Sequence, residues 1–260
     1  MNRVPHRTGH WNSGAYEDWG RCVGELITGL IPLALGILLS PLAYMALVAV
    51  LLSRLARVNG FAFLIGWSLG VVGVLTLSIW VFGLLDANPF GTPPPWVSIV
   101  RLVLGVFLVG AAVWVYRRGA VHMKQMSQAG SPREVAAAAP QLPGWLQAVD
   151  QFNPVQSVLL GLGIFVLNPV DATCAAIAGL DFVLADLPDA ETVAIATGFA
   201  VLGILPIAIP VVLILLRGAK AQPFLDRTRQ WIASHSGVLN AALLLVIGVL
   251  QLQKGVSGLI

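Results

Sequence analysis

Six apolar stretches, roughly 26–52, 60–84, 97–116, 155–180, 191–216 and 236–254, divide this chain of 260 residues, and each reaches or approaches the length of a membrane span. A helical crossing takes about 20 residues at about 1.5 Å rise per residue. Only 10% of the residues are charged, whereas a soluble domain carries about 25%. So few charges do not cover a soluble surface. The fold class expected is an all-α membrane protein of six transmembrane helices. The first stretch is too long for the apolar core of a signal peptide and no small-residue cleavage site follows it, so it is read as a retained span.

The charges that remain report on topology. Arg54 and Arg57 lie between the first two stretches; Arg117, Arg118, Lys124 and Arg133 between the third and fourth; and Arg217, Lys220, Arg227 and Arg229 between the last two. The 2–3 and 4–5 connections hold no Lys or Arg. Cytoplasmic loops collect Lys and Arg, so the basic loops are placed in the cytoplasm and both termini outside, in a bacterial inner (plasma) membrane. Arg3, Arg7 and Arg21 of the N-terminal arm point the other way and are outnumbered. This dispersal also argues against nucleic acid as a partner, despite a net charge of +3. The 4–5 connection is acidic, with Asp181, Asp186, Asp189 and Glu191. It is read as a solvated loop, with cation collection at an entrance as the alternative.

The layout is three spans, a linker, three spans. An arm (1–24) precedes a first three-helix unit (25–116), a cytoplasmic linker (117–154) and a second unit (155–260). The linker contains SPREVAAAAPQLPGW, and Trp145, Leu146 and Asp150 suggest a short interfacial helix near its end. Ser40-Pro41 in the first stretch matches Asn168-Pro169 in the fourth at an offset of 128. An odd number of spans per unit makes such a repeat inverted.

Proline removes a backbone N–H and disfavours helical geometry at the residue before it. Both dipeptides should therefore break their helices near mid-membrane, where Ser40 and Asn168 can satisfy the freed groups. Paired breaks of this kind build substrate and ion sites in transporters; a plain proline kink is the alternative. Asp171 follows the second break, about 24 Å into the fourth stretch. A charge at that depth costs about 2.5–3.5 kcal/mol on insertion scales. It is read either as a proton-coupling or substrate-binding acid, or as a structural group bonded to a helix cap or to Arg101. Arg101 sits about five residues into the third stretch and is expected to snorkel to lipid headgroups. By the repeat, Asp171 corresponds to Ala43, so the acid is not duplicated.

Enzyme chemistry is not expected. No nucleophile–base–acid set, metal-ligand cluster or phosphate loop is present, and His6, His10, His122 and His235 fall in the arm or in loops. Neither metal nor cofactor is expected. Cys22 and Cys174 form no C-x-x-C motif and are separated by too much helix to act as a thiol pair, which argues against an electron carrier.

The segment IPLALGILLSPLAYMALVAVLLSRLARVNGFAFLIGWSLG, with FNPVQSVLLGLGIFVLNPVDATCAAIAGL after the linker, resembles the GAP (peptidoglycolipid-addressing) family of the lysine-exporter (LysE) superfamily. The resemblance covers residues 25–255 and rests on Ser40-Pro41, Arg54, Arg57, Asn59, Gly60, Gly66, Trp67, Asn168 and Pro169. It implies an inverted-repeat transporter of six spans that moves glycolipids to the cell envelope. Where members are expected to read Asn-Pro-Lys, this chain reads Asn168-Pro169-Val170-Asp171.

Two functions follow. One is export or translocation of an envelope lipid or glycolipid, with membrane lipids, a homodimer or a lipid-export machinery as partners. The other is proton-coupled export of a small solute, an amino acid or cation, through Asp171. The transport path would be lined by Ser40, Pro41, Asn168, Pro169 and Asp171, with Arg54, Arg57, Asn59 and Gly60 as a cytoplasmic loop motif. A cleft open to lipid favours the first function, and a closed central polar pocket the second.

Overall fold

The computed structural model describes residues 13–53, 55–87, 93–128, 153–217 and 241–260, and among them the chain is all-helical. The helices are α1 (Ser13–Leu38), α2 (Pro41–Leu52), α3 (Ala56–Leu84), α4 (Pro95–Gln128), α5 (Pro154–Leu167), α6 (Pro169–Ala185), α7 (Asp189–Arg217) and α8 (Ala241–Ser257). Four stretches are long and apolar enough to cross a membrane: Gly20–Leu38 of α1, all of α3, Pro95–Arg117 of α4 and Asp189–Leu216 of α7. The pair α5 and α6, bent by 69° at Asn168, makes a fifth if taken as one span. The stretch expected at 26–52 is divided into α1 and the 12-residue α2. Of the stretch expected at 236–254, the described residues hold α8, an apolar helix of Ala241–Ser257.

Two helices run beyond their apolar parts. α1 begins at Ser13, within the stretch read as the arm, and its apolar part starts at Gly20. The apolar part of α4, Pro95–Arg117, matches the stretch expected at 97–116, and the helix continues to Gln128. Residues 1–12, Arg54, 88–92, 129–152 and 218–240 lie outside the described residues, and with them His6, His10, His235, the linker motif and the interfacial helix expected there, and most of the basic 5–6 loop.

α3 is the central element. It packs most extensively on α5, then on α6 and α7. Close approach to α5 depends on glycine from both sides: a methyl group at Gly66 would collide with the carbonyl oxygen of Val158, and one at Gly161 with that of Phe63. Small residues of this kind let membrane helices gain dispersion contacts where no hydrophobic effect drives association. Trp67 stands edge-on to Phe165, ring centroids 5.0 Å apart, and its Nε1–H donates to the carbonyl of Gly203 on α7 at 3.0 Å. That carbonyl lies one turn before Pro206, the first of two prolines inside α7. Outward, large apolar side chains such as Leu77, Val103 and Leu216 are exposed. This is the surface of a protein that faces hydrocarbon.

Candidate functional site

The two proline breaks meet. Ser40 and Asn168 each take extended backbone (φ/ψ −62/105 and −76/108), and a proline opens the next helix after each. Position one of a helix suits proline because its N–H would be unpaired there in any case. The local accounting is complete: Ser40 N–H bonds Ile37 and Asn168 N–H bonds Ile164, while their own carbonyls receive Tyr44 and Ala172. Asn168 also caps α6, its Oδ1 accepting from Val170 N–H at 3.2 Å. Ser40 makes no such side-chain cap.

The Ser40 hydroxyl instead crosses to the other break. It donates to Oδ2 of Asp171 at 2.8 Å and accepts from Nδ2 of Asn168 at 3.1 Å. Asn168 Nδ2 also donates to the same Asp171 oxygen at 2.7 Å. Three residues expected in one path are thus one hydrogen-bonded triangle, and Asp171 and Ser40 are buried. Asp171 Oδ1 is buried without a hydrogen-bond partner among the described residues. Cys174, one turn further along α6, is buried against Gly36 of α1; Cys22 is exposed, and both thiols are free.

Arg101 neither snorkels to headgroups nor reaches Asp171. It is buried, and its Nη2 contacts Oδ1 of Asp181 at 2.6 Å. Ten helical positions, about 15 Å of rise, separate Asp181 from Asp171, so an arginine entering from the start of α4 meets the later acid. Asp181 is therefore not part of a solvated acidic loop: α6 runs to Ala185 and carries it inside. Of the acids beyond, Asp186 at a left-handed helix end and Asp189 in the first turn of α7 are exposed, whereas Glu191 in the same turn is half-buried. A lone in-membrane arginine needs a counter-charge, and the packing of the helices decides that Asp181 supplies it.

The expected loop motif is also relocated. Asn59 and Gly60 belong to the first turn of α3 and are buried, while Arg57 is exposed. Asn59 Nδ2 donates to Ser53 Oγ at 3.2 Å, and Ser53 Oγ donates to the carbonyl of Val50, so the pair fastens the turn between α2 and α3. The Leu51 side chain packs over Gly60 and would have to move to admit a side chain there.

A cavity of about 810 Å³ opens at one end of the bundle, between α1, α4, α6 and α8. Leu26, Leu33, Ile247 and Leu250 give it apolar walls, and Arg101, Asp181, Gln251 and Lys254 line its polar side. The Ser40–Asn168–Asp171 triangle is not part of its lining.

A membrane-embedded helical body with such a cavity is matched, over residues 30–257, by the family described as Sap, sulfolipid-1-addressing protein. The chain belongs to that family. No curated protein and no solved structure matches it. The resemblance read from the sequence named a peptidoglycolipid-addressing family; what it shares with the sulfolipid-addressing family is lipid addressing by a membrane protein.

Proposed function

We propose that this member of the sulfolipid-addressing family translocates an envelope lipid or glycolipid, sulfolipid being the class the family's description carries, across a bacterial plasma membrane. The observation that carries this reading is the cavity: apolar walls run beside an ionic, amide-lined side, which is the division of an amphiphile. In the central polar triangle, in contrast, Ser40 and Asp171 are buried and Asn168 is half-buried.

The architecture proposed is a LysE-type inverted repeat of six spans, α1–α2, α3 and α4 followed by α5–α6, α7 and α8. The near-identical backbone at Ser40 and Asn168, 128 positions apart, supports it. With the basic loops in the cytoplasm, the cavity faces outward: it gathers the early part of α1, the start of α4 and the ends of α6 and α8. The interlocked breaks then serve as the joint between the two units. A homodimer or a lipid-export machinery is the partner expected.

A second reading is favoured by one atom. Asp171 Oδ1, buried and without a partner among the described residues, is a place where a proton or small cation would be held. That reading makes the protein a proton-coupled exporter of a small solute. Neither reading involves enzyme chemistry.

Liposomes carrying the purified protein or Asp171→Asn, a trapped pH dye, an imposed pH gradient and a fluorescent sulfated glycolipid separate the two. Lipid redistribution without solute-driven proton flux is the expected result. Proton flux that requires both an added amino acid or cation and Asp171, with no lipid movement, establishes the second reading instead.

A further inference from the structure

The cavity has a charge arrangement that selects its ligand. Arg101 and Asp181 are both buried and 2.6 Å apart, so their charges cancel in place. Lys254 approaches the other oxygen of Asp181 at only 3.4 Å, and its side chain is 43% exposed. It is therefore the cation of this cluster that can turn to a ligand without leaving a buried charge unpaired. Glu25 lines the cavity from α1 and is exposed.

Gly29 explains why the cluster is accessible. A Cβ built there would stand 3.4 Å from Lys254 Nζ and 3.6 Å from Asp181 Oδ2. The absent side chain leaves the face of α1 open over the ionic pair. Thr28 and Gln253 line the same cavity: Gln253 supplies an amide, and the Thr28 hydroxyl, which donates to the carbonyls of Gly24 and Glu25, supplies an acceptor for a polyhydroxyl head. Leu26, Leu33 and Ile247 are buried and give an alkyl chain its wall.

We infer that this cavity is a head-group site for an amphiphile bearing one anionic group on a polyhydroxyl head, with Lys254 holding the anion and Gly29 leaving room for it. The inference deepens the lipid-translocation reading and rests on it. A lysine provides a mobile point charge for a sulfate or phosphate, and Arg101–Asp181 forms the fixed floor beneath. Glu25 opposes the anion and tempers its affinity, which favours release after capture.

The test uses the full chain in phosphatidylcholine nanodiscs. The probes are radiolabelled octyl glucoside carrying a 6-sulfate, uncharged octyl glucoside, and inorganic sulfate as competitor. The sulfated amphiphile is expected to bind saturably and more tightly than the uncharged one. Lys254→Gln should weaken it about tenfold, the loss of one charge-assisted contact, and leave the uncharged amphiphile unchanged. Gly29→Leu, whose added side chain grows into the cavity, should abolish both, and Glu25→Gln should tighten the sulfated one. Equal binding of the two amphiphiles overturns the inference. So does an unaffected Lys254→Gln, or displacement by inorganic sulfate at the concentration of the amphiphile itself. Lys254→Gln is also run in the liposome assay. Undiminished lipid movement there overturns the site and leaves the translocation reading standing; intact probe binding with no lipid movement by the parent protein does the reverse.

Discussion

Asn168 Nδ2 donates to Ser40 Oγ at 3.1 Å, joining two helix breaks that lie 128 positions apart in the chain. Each break alone satisfies its backbone locally; the side chains tie one to the other through Asp171. The bond therefore belongs to tertiary structure, and substitution at either end tests whether the breaks act as one joint. Ser40→Ala removes a donor to the carboxylate and an acceptor for the amide, in a site that water does not reach. A loss of about 1–3 kcal/mol is expected, the cost of stranding buried polar groups. Asn168→Ala should cost a similar amount. The double variant should lose less than the sum, because the two residues share Asp171 as partner. Thermal unfolding in detergent measures all three, and strict additivity would dissolve the joint into two independent kinks.

The α3–α5 contact makes a second prediction. Gly66→Ala and Gly161→Ala each push a methyl group into backbone carbonyl, with no flexible side-chain end to yield. Each should destabilise by about 1–3 kcal/mol. Gly73→Ala on the same helix α3 meets nothing within 4 Å and should be neutral or stabilising by up to about 1 kcal/mol. Melting temperatures of the three variants, compared with the parent, decide it. A loss at Gly73 equal to that at Gly66 would mean that close approach to α5 is not the source of the cost, since helix propensity favours alanine at both positions.

What the sequence made legible follows the range of the forces involved. The breaks at Ser40 and Asn168 were readable because proline acts on its own backbone and the residue before it. The spans at α3 and α7 were readable because apolar length is a local property. The partner of Arg101 was not, since it depends on which acid lies at the same depth of the bundle. Counting residues placed Asp181 in a loop, whereas α6 holds it on the protein side until Ala185. Asn59 and Gly60 were grouped with Arg54 and Arg57 by the family resemblance, yet helix geometry turns Asn59 inward and Arg57 outward. The cavity combines four helices separated by long stretches of chain, and no local pattern announces it.

Trp67 links the centre of α3 to α7. Trp67→Phe keeps the edge-on packing against Phe165 but deletes the Nε1 bond to the carbonyl of Gly203. Interhelical hydrogen bonds inside membranes contribute about 0.6 kcal/mol on average and up to about 1.7. The loss in global stability should fall in that range. Because the acceptor lies beside Pro206, where α7 lacks one backbone bond, the change should be felt locally as well. Hydrogen exchange is expected to quicken in the turn around Ile204–Ile207 and to stay unchanged in α5. Uniform exchange along α7 would show that Trp67 serves packing alone.

Arg101 and Asp181 give the sharpest contrast. Their 2.6 Å contact is buried, so removing Asp181 leaves Arg101 as a buried charge without its counter-ion, whereas removing Arg101 leaves Asp181 with Lys254 alone. Arg101→Gln and Asp181→Asn are each expected to cost about 3–5 kcal/mol, enough to reduce the yield of folded protein in membranes. Arg101→Gln should be the milder of the two, because Asp181 retains Lys254 Nζ at 3.4 Å, whereas after Asp181→Asn the guanidinium of Arg101 keeps only the neutral Gln251 Oε1 at 3.5 Å. The double variant Arg101→Leu with Asp181→Leu restores balance by deleting both charges, and should recover most of the lost stability. It also removes the polar floor of the cavity. A well-folded double variant that no longer binds the sulfated probe would separate the two roles of this pair, since stability returns with apolar packing and recognition does not. A double variant as unstable as either single one would instead show that the space at the end of α6 accepts only the ion pair.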